Sequence, residues 1–198
     1  MPIELLPGLA LFALVSSITP GPNNLMLMTS GANHGFRRSL PHLLGVGGGF
    51  MLMIILVGTG ISEIFQRYPL SFHLLRVGSV IYLIYLAARL VGARSLAEGG
   101  VRRPPPMSFL QGALFQWVNP KAWAMALTAV SVYAPEPGLG AIVLVAGVFA
   151  TINLPSVSLW TLLGRQLRQR LSNEKTLRRF NVTMAMLLLV SVLPLMFP

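Results

Sequence analysis

Ile18-Thr19-Pro20-Gly21-Pro22-Asn23-Asn24 interrupts a chain that otherwise reads as membrane helix: LPGLALFALVSS stands before it and LMLMTSGA after it. Two prolines without a backbone N–H flank a glycine, which makes the stretch a strong helix breaker. A helix broken inside an apolar run exposes carbonyl and N–H groups that hydrocarbon cannot satisfy. Such a break persists where protein or a water-filled cavity lines it. The fold therefore turns on whether this stretch is a packing kink or a working part, and we read it as a working part.

Composition supports a lipid surroundings for the whole chain. Of 198 residues, 54% are hydrophobic and only 10% charged, whereas soluble domains carry roughly a quarter charged residues. Mean hydropathy is +0.70. There is no cysteine, which removes disulfides, thiolate metal sites and thiol redox chemistry, and all five acids are glutamates. The net charge of +10 would suggest nucleic acid in a soluble protein, but Arg37, Arg38, Arg89, Arg94, Arg102, Arg103, Arg165, Arg168, Arg170, Lys175, Arg178 and Arg179 fall in or beside three connecting loops. They read as topology determinants with affinity for anionic lipid headgroups, with no nucleic acid implied. The first apolar run has no basic region ahead of it and no A-x-A-like site after Ser16-Ser17, so it is expected to remain as a span.

A span needs about 20 mainly apolar residues, and six candidates follow: Leu5–Gly31, Leu40–Ile64, Leu70–Gly92, Phe109–Tyr133, Leu139–Leu163 and Phe180–Phe197. Basic residues crowd every second connection, after spans one, three and five, while the alternate ones hold Glu63 with Arg67, and Glu136 alone. That alternation predicts cytoplasmic basic loops and both termini outside. The PPP at 104–106 reads as a stiff extended segment in the central basic loop, about 93–108.

A second break, Asn119-Pro120, lies about half a chain beyond the first, inside span four. The chain thus divides into two three-span halves, about 1–98 and 107–198, each opening with a broken helix. Three spans per half force the second half to enter from the opposite side. The expected fold is one all-α transmembrane domain of six helices, built as two inverted repeats with helices 1 and 4 broken, as in many secondary transporters. Half-helices that begin at a break present positive dipole ends to an anion. The candidate substrate pathway is Pro20, Gly21, Pro22, Asn23, Asn24, Asn119, Pro120 and Lys121, suited to a small zwitterion.

Lys121 follows the second break, well inside span four, where an ammonium is expensive and usually functional. It is suited to hold a substrate carboxylate, to pair with helix-end carbonyls or to cycle between charged and neutral forms; snorkelling toward the basic side is the competing reading. For proton coupling the candidates are His42 and Glu63, with Lys121 as a third, because no span holds an aspartate or a central glutamate. Gly45 and Gly49 form a small-xxx-small pair for close helix packing, or else a backbone-lined passage. Pro155 alone reads as a kink. Trp117, Trp123 and Trp160 suit interfacial anchoring, and Trp123 equally suits a wall of the site.

PGPNN in span one, GANHGFRRSLPHLLGVGGG after it, RVGSVIYLIYLAARL at 76–90 and NPKAW at 119–123 resemble the lysine-exporter superfamily, specifically its homoserine/threonine-resistance branch (LysE/RhtB type). The resemblance runs over nearly the whole chain. It implies export of amino acids or related small metabolites from a bacterial cytoplasm across the inner membrane by proton antiport, with no cofactor and no metal. The partners it implies are the substrate and protons, with room for a homo-oligomer. Nothing in the sequence supplies an enzyme's constellation of nucleophile, paired carboxylates or clustered histidines. A passive channel-like or structural membrane protein is the rival.

Overall fold

The computed structural model describes residues 3–61, 63, 67–92, 105–134, 138–171 and 173–191. Arg94, Arg102, Arg103, Pro104 and Glu136 lie outside the described residues, as do most of the expected central loop and the end of the sixth span. The described part is helical: α1 (Leu6–Ile18), α2 (Pro22–His34), α3 (Phe36–Leu56), α4 (Pro69–Gly92), α5 (Phe109–Val118), α6 (Pro120–Tyr133), α7 (Leu139–Arg170) and α8 (Glu174–Val190). A π-helical stretch, Val57–Ile61, extends α3.

By length and composition, Phe36–Ile61, His73–Gly92 and Leu139–Leu167 are each apolar enough to cross a membrane, and α1 with α2 makes a fourth candidate bent by 54°. Their faces divide as lipid requires. On α4, Ser79, Leu83, Leu86, Ala87 and Leu90 are buried, while Leu74, Val77, Ile81, Ile84 and Val91 stand exposed. That is one helical stripe facing protein and the remainder facing acyl chains.

Steric exclusion by proline sets both breaks, because a proline ring drives the residue ahead of it out of the helical region. Thr19, Gly21 and Asn119, each followed by proline, have ψ of 138°, 176° and 108°. Pro22 and Pro120 then occupy the first position of α2 and α6, where a missing N–H leaves nothing unsatisfied. The rule is not sufficient by itself: α3 continues through Pro41 and α7 through Pro155.

Glycines set the tightest helix crossings. A Cβ on Gly31 of α2 would fall 2.0 Å from the Thr161 carbonyl oxygen, and one on Gly164 of α7 would fall 1.9 Å from that of Met28. The α2 and α7 backbones therefore touch. Gly45 and Gly49 of α3 lie in the same way against Phe109 and Ala113 of α5. Between α2 and α3 the chain turns at Gly35, whose φ of 80° suits glycine.

Helix packing joins the early and late parts of the chain. The pair α1–α2 packs on α7, and α3 packs on α5 and α6; α4 packs on α8; α4 touches α5 as α2 touches α8; and α3 packs on α7. The broken pair α1–α2 thus packs on α7, and the broken pair α5–α6 packs on α3.

Among the described residues, the basic side chains lie on helix ends beside the connections. Arg37 and Arg38 occupy the first turn of α3, Arg89 the last turn of α4, and α7 continues to Arg170 instead of stopping near Leu163. Arginine is a good helix former, so nothing obliges a helix to stop where the hydrocarbon does.

Candidate functional site

The two breaks line a cleft whose empty space, its solvent-open part included, is about 310 Å³. From the expected pathway it gathers Gly21, Asn23, Asn24, Asn119 and Lys121; Pro20, Pro22 and Pro120 shape the breaks without lining it. Lys121 carries the most informative geometry. Its Nζ donates to the Thr19 carbonyl at 2.5 Å and to that of Pro20 at 3.5 Å. The ammonium thus sits at the carbonyl end of α1, where the helix dipole is negative. Of the sequence readings, pairing with helix-end carbonyls is the one this arrangement displays.

Gly21 makes that reach feasible. Its backbone is extended (φ −173°, ψ 176°), a conformation open to any residue, so space is what calls for glycine. A Cβ there would come within 2.7 Å of Lys121 Cδ.

Four carbonyls freed at the first break, those of Ser17, Ile18, Thr19 and Pro20, have side-chain partners. Asn24 Nδ2 donates to Ser17 O and Thr19 O, both at 2.8 Å, and Trp160 Nε1 donates to Ile18 O at 3.1 Å. Lys121 holds Thr19 O and Pro20 O. The second break is simpler. Asn119 Oδ1 accepts from the Lys121 backbone N–H at 3.1 Å, an N-cap, and Trp123 Nε1 donates to Trp117 O at 2.9 Å. Trp123 is therefore part of the second break's own support, and Trp160 serves the first. A reciprocal amide pair joins the breaks: Asn23 Nδ2 donates to Gln116 Oε1 at 2.8 Å, and Gln116 Nε2 to Asn23 Oδ1 at 3.2 Å. The asparagine side chains thus hold the frame around the cavity.

Three residues that sequence reasoning passed over complete the site. Gln116 is fully buried; Asn153 Nδ2 donates to Ser17 Oγ at 3.0 Å, while the buried Asn153 Oδ1 has no protein partner. All three are polar groups inside apolar spans, a signal available in the sequence and usually tied to packing or function in a membrane. The apolar wall comprises Phe50, Ala122, Met125 and Val157.

The remaining candidates lie elsewhere. His42 is fully buried on α3 and neither ring nitrogen has a partner; its carbonyl and ring edge lie against Gly112 of α5. Glu63 is exposed beyond the π-helical stretch. Gly45 and Gly49 face α5 backbone, and Pro155 is exposed on α7. Among the described residues no group of His, Cys, Asp or Glu is placed to hold a metal ion.

The chain as a whole is similar to known proteins. The cysteine/O-acetylserine efflux protein of Escherichia coli O139:H28 (strain E24377A / ETEC) is 32% identical over 181 residues, covering 90% of each chain. Those of Escherichia coli K12 and Shigella flexneri serotype 5b are 32% identical over 180 residues, covering 89% of this chain and 90% of theirs. No solved structure matches. The LysE type translocator pattern matches residues 14–196, so the chain belongs to the LysE type translocator family and is a multi-pass membrane translocator rather than an enzyme.

Proposed function

We propose that this protein exports small neutral amino acids or their close derivatives from the bacterial cytoplasm by proton antiport, binding them between the two helix breaks. The observation that carries the reading is Lys121 Nζ resting on the carbonyls of Thr19 and Pro20 inside the cavity. A zwitterion replaces that contact with two complementary ones. Its ammonium takes the carbonyl end of α1 and the spare acceptor Asn153 Oδ1. Its carboxylate takes the released Lys121 ammonium, near the N-terminus of α2 whose dipole is positive. Phe50, Ala122, Met125 and Val157 leave an apolar wall for a short side chain, which suits the cysteine and O-acetylserine named for the relatives.

For coupling we assign the proton to His42 rather than Glu63. His42 is buried with both nitrogens unpartnered, whereas Glu63 is exposed at a helix end. Imidazole is the side chain suited to proton cycling near neutrality. The proposed architecture is the single domain 1–198 of six spans in two inverted repeats, with both termini outside the inner membrane. The packing of each broken helix on the middle helix of the other half, α1–α2 on α7 and α5–α6 on α3, supports it, since a two-fold relation between halves generates such a pair. Exposed Arg165, Lys175, Arg178 and Arg179 are proposed contacts for anionic lipid. Association with further copies of the chain is compatible with this arrangement.

The test is uptake of O-acetyl-L-serine into inside-out membrane vesicles. Export by antiport requires that collapsing the pH gradient abolish accumulation. Transport indifferent to the gradient would leave the passive channel-like reading in its place. Reporter fusions at Arg102 and near Glu136 should give opposite sidedness, and matching sidedness would dismantle the inverted repeat.

A further inference from the structure

A second and larger cavity, about 630 Å³ with its solvent-open part included, lies at the far end of α2 from the break. Ser30 is six residues beyond Asn24, so the two cavities sit in series along α2, about 9 Å apart at 1.5 Å per residue. Thr29, Ser30 and Asn33 share the face of α2 that lines it, and His34, His42 and Arg89 close it from α2, α3 and α4. Leu86 and Leu90 add an apolar wall. The helices α2, α3 and α4 contain no aspartate or glutamate, so among the described residues lining the cavity none offers Arg89 a carboxylate. Its guanidinium lies 5.9 Å from the Tyr85 ring centroid. His42 brings a fully buried ring with two unpartnered nitrogens to the same cavity.

An exposed cation on one wall, a buried imidazole in need of a partner on another, and no acid between them among the described residues suit an anionic group with several acceptor oxygens. We propose that this cavity is a second binding site, a vestibule in which the carboxylate of an amino-acid substrate engages Arg89 and His42 before the molecule reaches the break site. The proposal rests on the reading of the chain as an amino-acid exporter. It assigns Arg89 a ligand-binding role, where its position at a helix end suggests only a lipid or topology contact.

The absence of native cysteine makes the test direct. Thr29→Cys places a single thiol on the vestibule wall of the full-length protein in phosphatidylcholine proteoliposomes. Modification by the anionic reagent sulfonatoethyl methanethiosulfonate is followed with and without O-acetyl-L-serine. The substrate should slow modification, and Arg89→Gln should raise the half-protecting concentration about tenfold, as expected for losing one charge-assisted hydrogen bond. Arg89→Lys should recover part of that loss, and His42→Gln should shift protection in the same direction as Arg89→Gln. Protection that is absent, or that ignores Arg89→Gln, overturns the proposal. So does protection reproduced by phosphatidylglycerol without solute, which would make Arg89 a headgroup anchor. Should Thr29→Cys prove unreactive, transport kinetics decide: Arg89→Gln must raise KM about tenfold with kcat retained, and an unchanged KM refutes the site.

The same assay in a Lys121→Met background separates the two sites. Protection retained while transport is lost supports both. Protection and transport both retained sinks the break site alone, and protection lost in the Arg89-intact Thr29→Cys protein with transport still dependent on Lys121 sinks the vestibule alone.

Discussion

At the first break three residues, Thr19 to Gly21, leave the helix, and side chains from the distant half join Asn24 in holding the carbonyls of Ile18 to Pro20; at the second only Asn119 leaves, and its own neighbours support it. Lys121 reaches across 102 residues and Trp160 across 142 to the end of α1. Asn119 caps the N–H of Lys121 two residues on, and Trp123 bonds the carbonyl of Trp117 six residues back. Both breaks come from proline excluding the residue ahead of it from the helix. One is left with carbonyls that a foreign ammonium occupies, and the other presents that ammonium from a rigid, self-capped helix start. In the proposed export cycle that difference divides the labour: the second break positions the ammonium, and the first receives the substrate.

The largest effect that would sharpen this division belongs to Lys121. Lys121→Ala should weaken substrate binding by about 2–3 kcal/mol, the upper range for hydrogen bonds to charged groups, which is about 30- to 150-fold. Efflux should be lost while the protein remains in the membrane, as efflux assays and membrane immunoblots would record. Lys121→Arg should fail too, because a planar fork does not replace a compact ammonium between two carbonyls. Near wild-type efflux by Lys121→Ala would reduce the residue to a snorkelling anchor and erase the distinction between the breaks.

Gly21→Ala comes next. The added methyl would meet Lys121 Cδ at 2.7 Å, and because the backbone there is extended the change acts on the lysine stem alone. Efflux should fall by about tenfold, roughly 1.4 kcal/mol of displaced contact, with little change in thermal stability of the detergent-solubilised protein. A stability loss with normal transport per molecule would assign Gly21 to packing instead.

The smallest effect is expected at the self-capped break. Asn119→Ala removes an N-cap, worth about 1 kcal/mol, and should lower the midpoint of thermal unfolding while leaving substrate affinity within a few-fold of wild type. A loss of affinity as severe as that of Lys121→Ala would show that both breaks receive substrate directly.

What the sequence determined by itself is local. Apolar length and the shortage of charge specify membrane helices, and proline sterics acting over one residue specify both breaks, down to Thr19, Gly21 and Asn119. Even so, Pro41 and Pro155 obey the surrounding helix, because neighbouring helices decide whether a proline's freed carbonyl can be accommodated. The site was legible as a set of residues near two breaks, and Lys121 was legible as its charge. Only the tertiary structure decided the pairing: Asn23 with Gln116 across 93 residues, Lys121 on the carbonyls of Thr19 and Pro20, Asn153 on Ser17, and a second cavity joining His42 to Arg89. These partners depend on helix register, which the backbone contacts at Gly31 with Gly164, and at Gly45 and Gly49 with α5, fix to within a fraction of a turn. A pattern of polar residues along a chain carries no such register, because hydrogen bonds between spans form only once packing has chosen which faces meet.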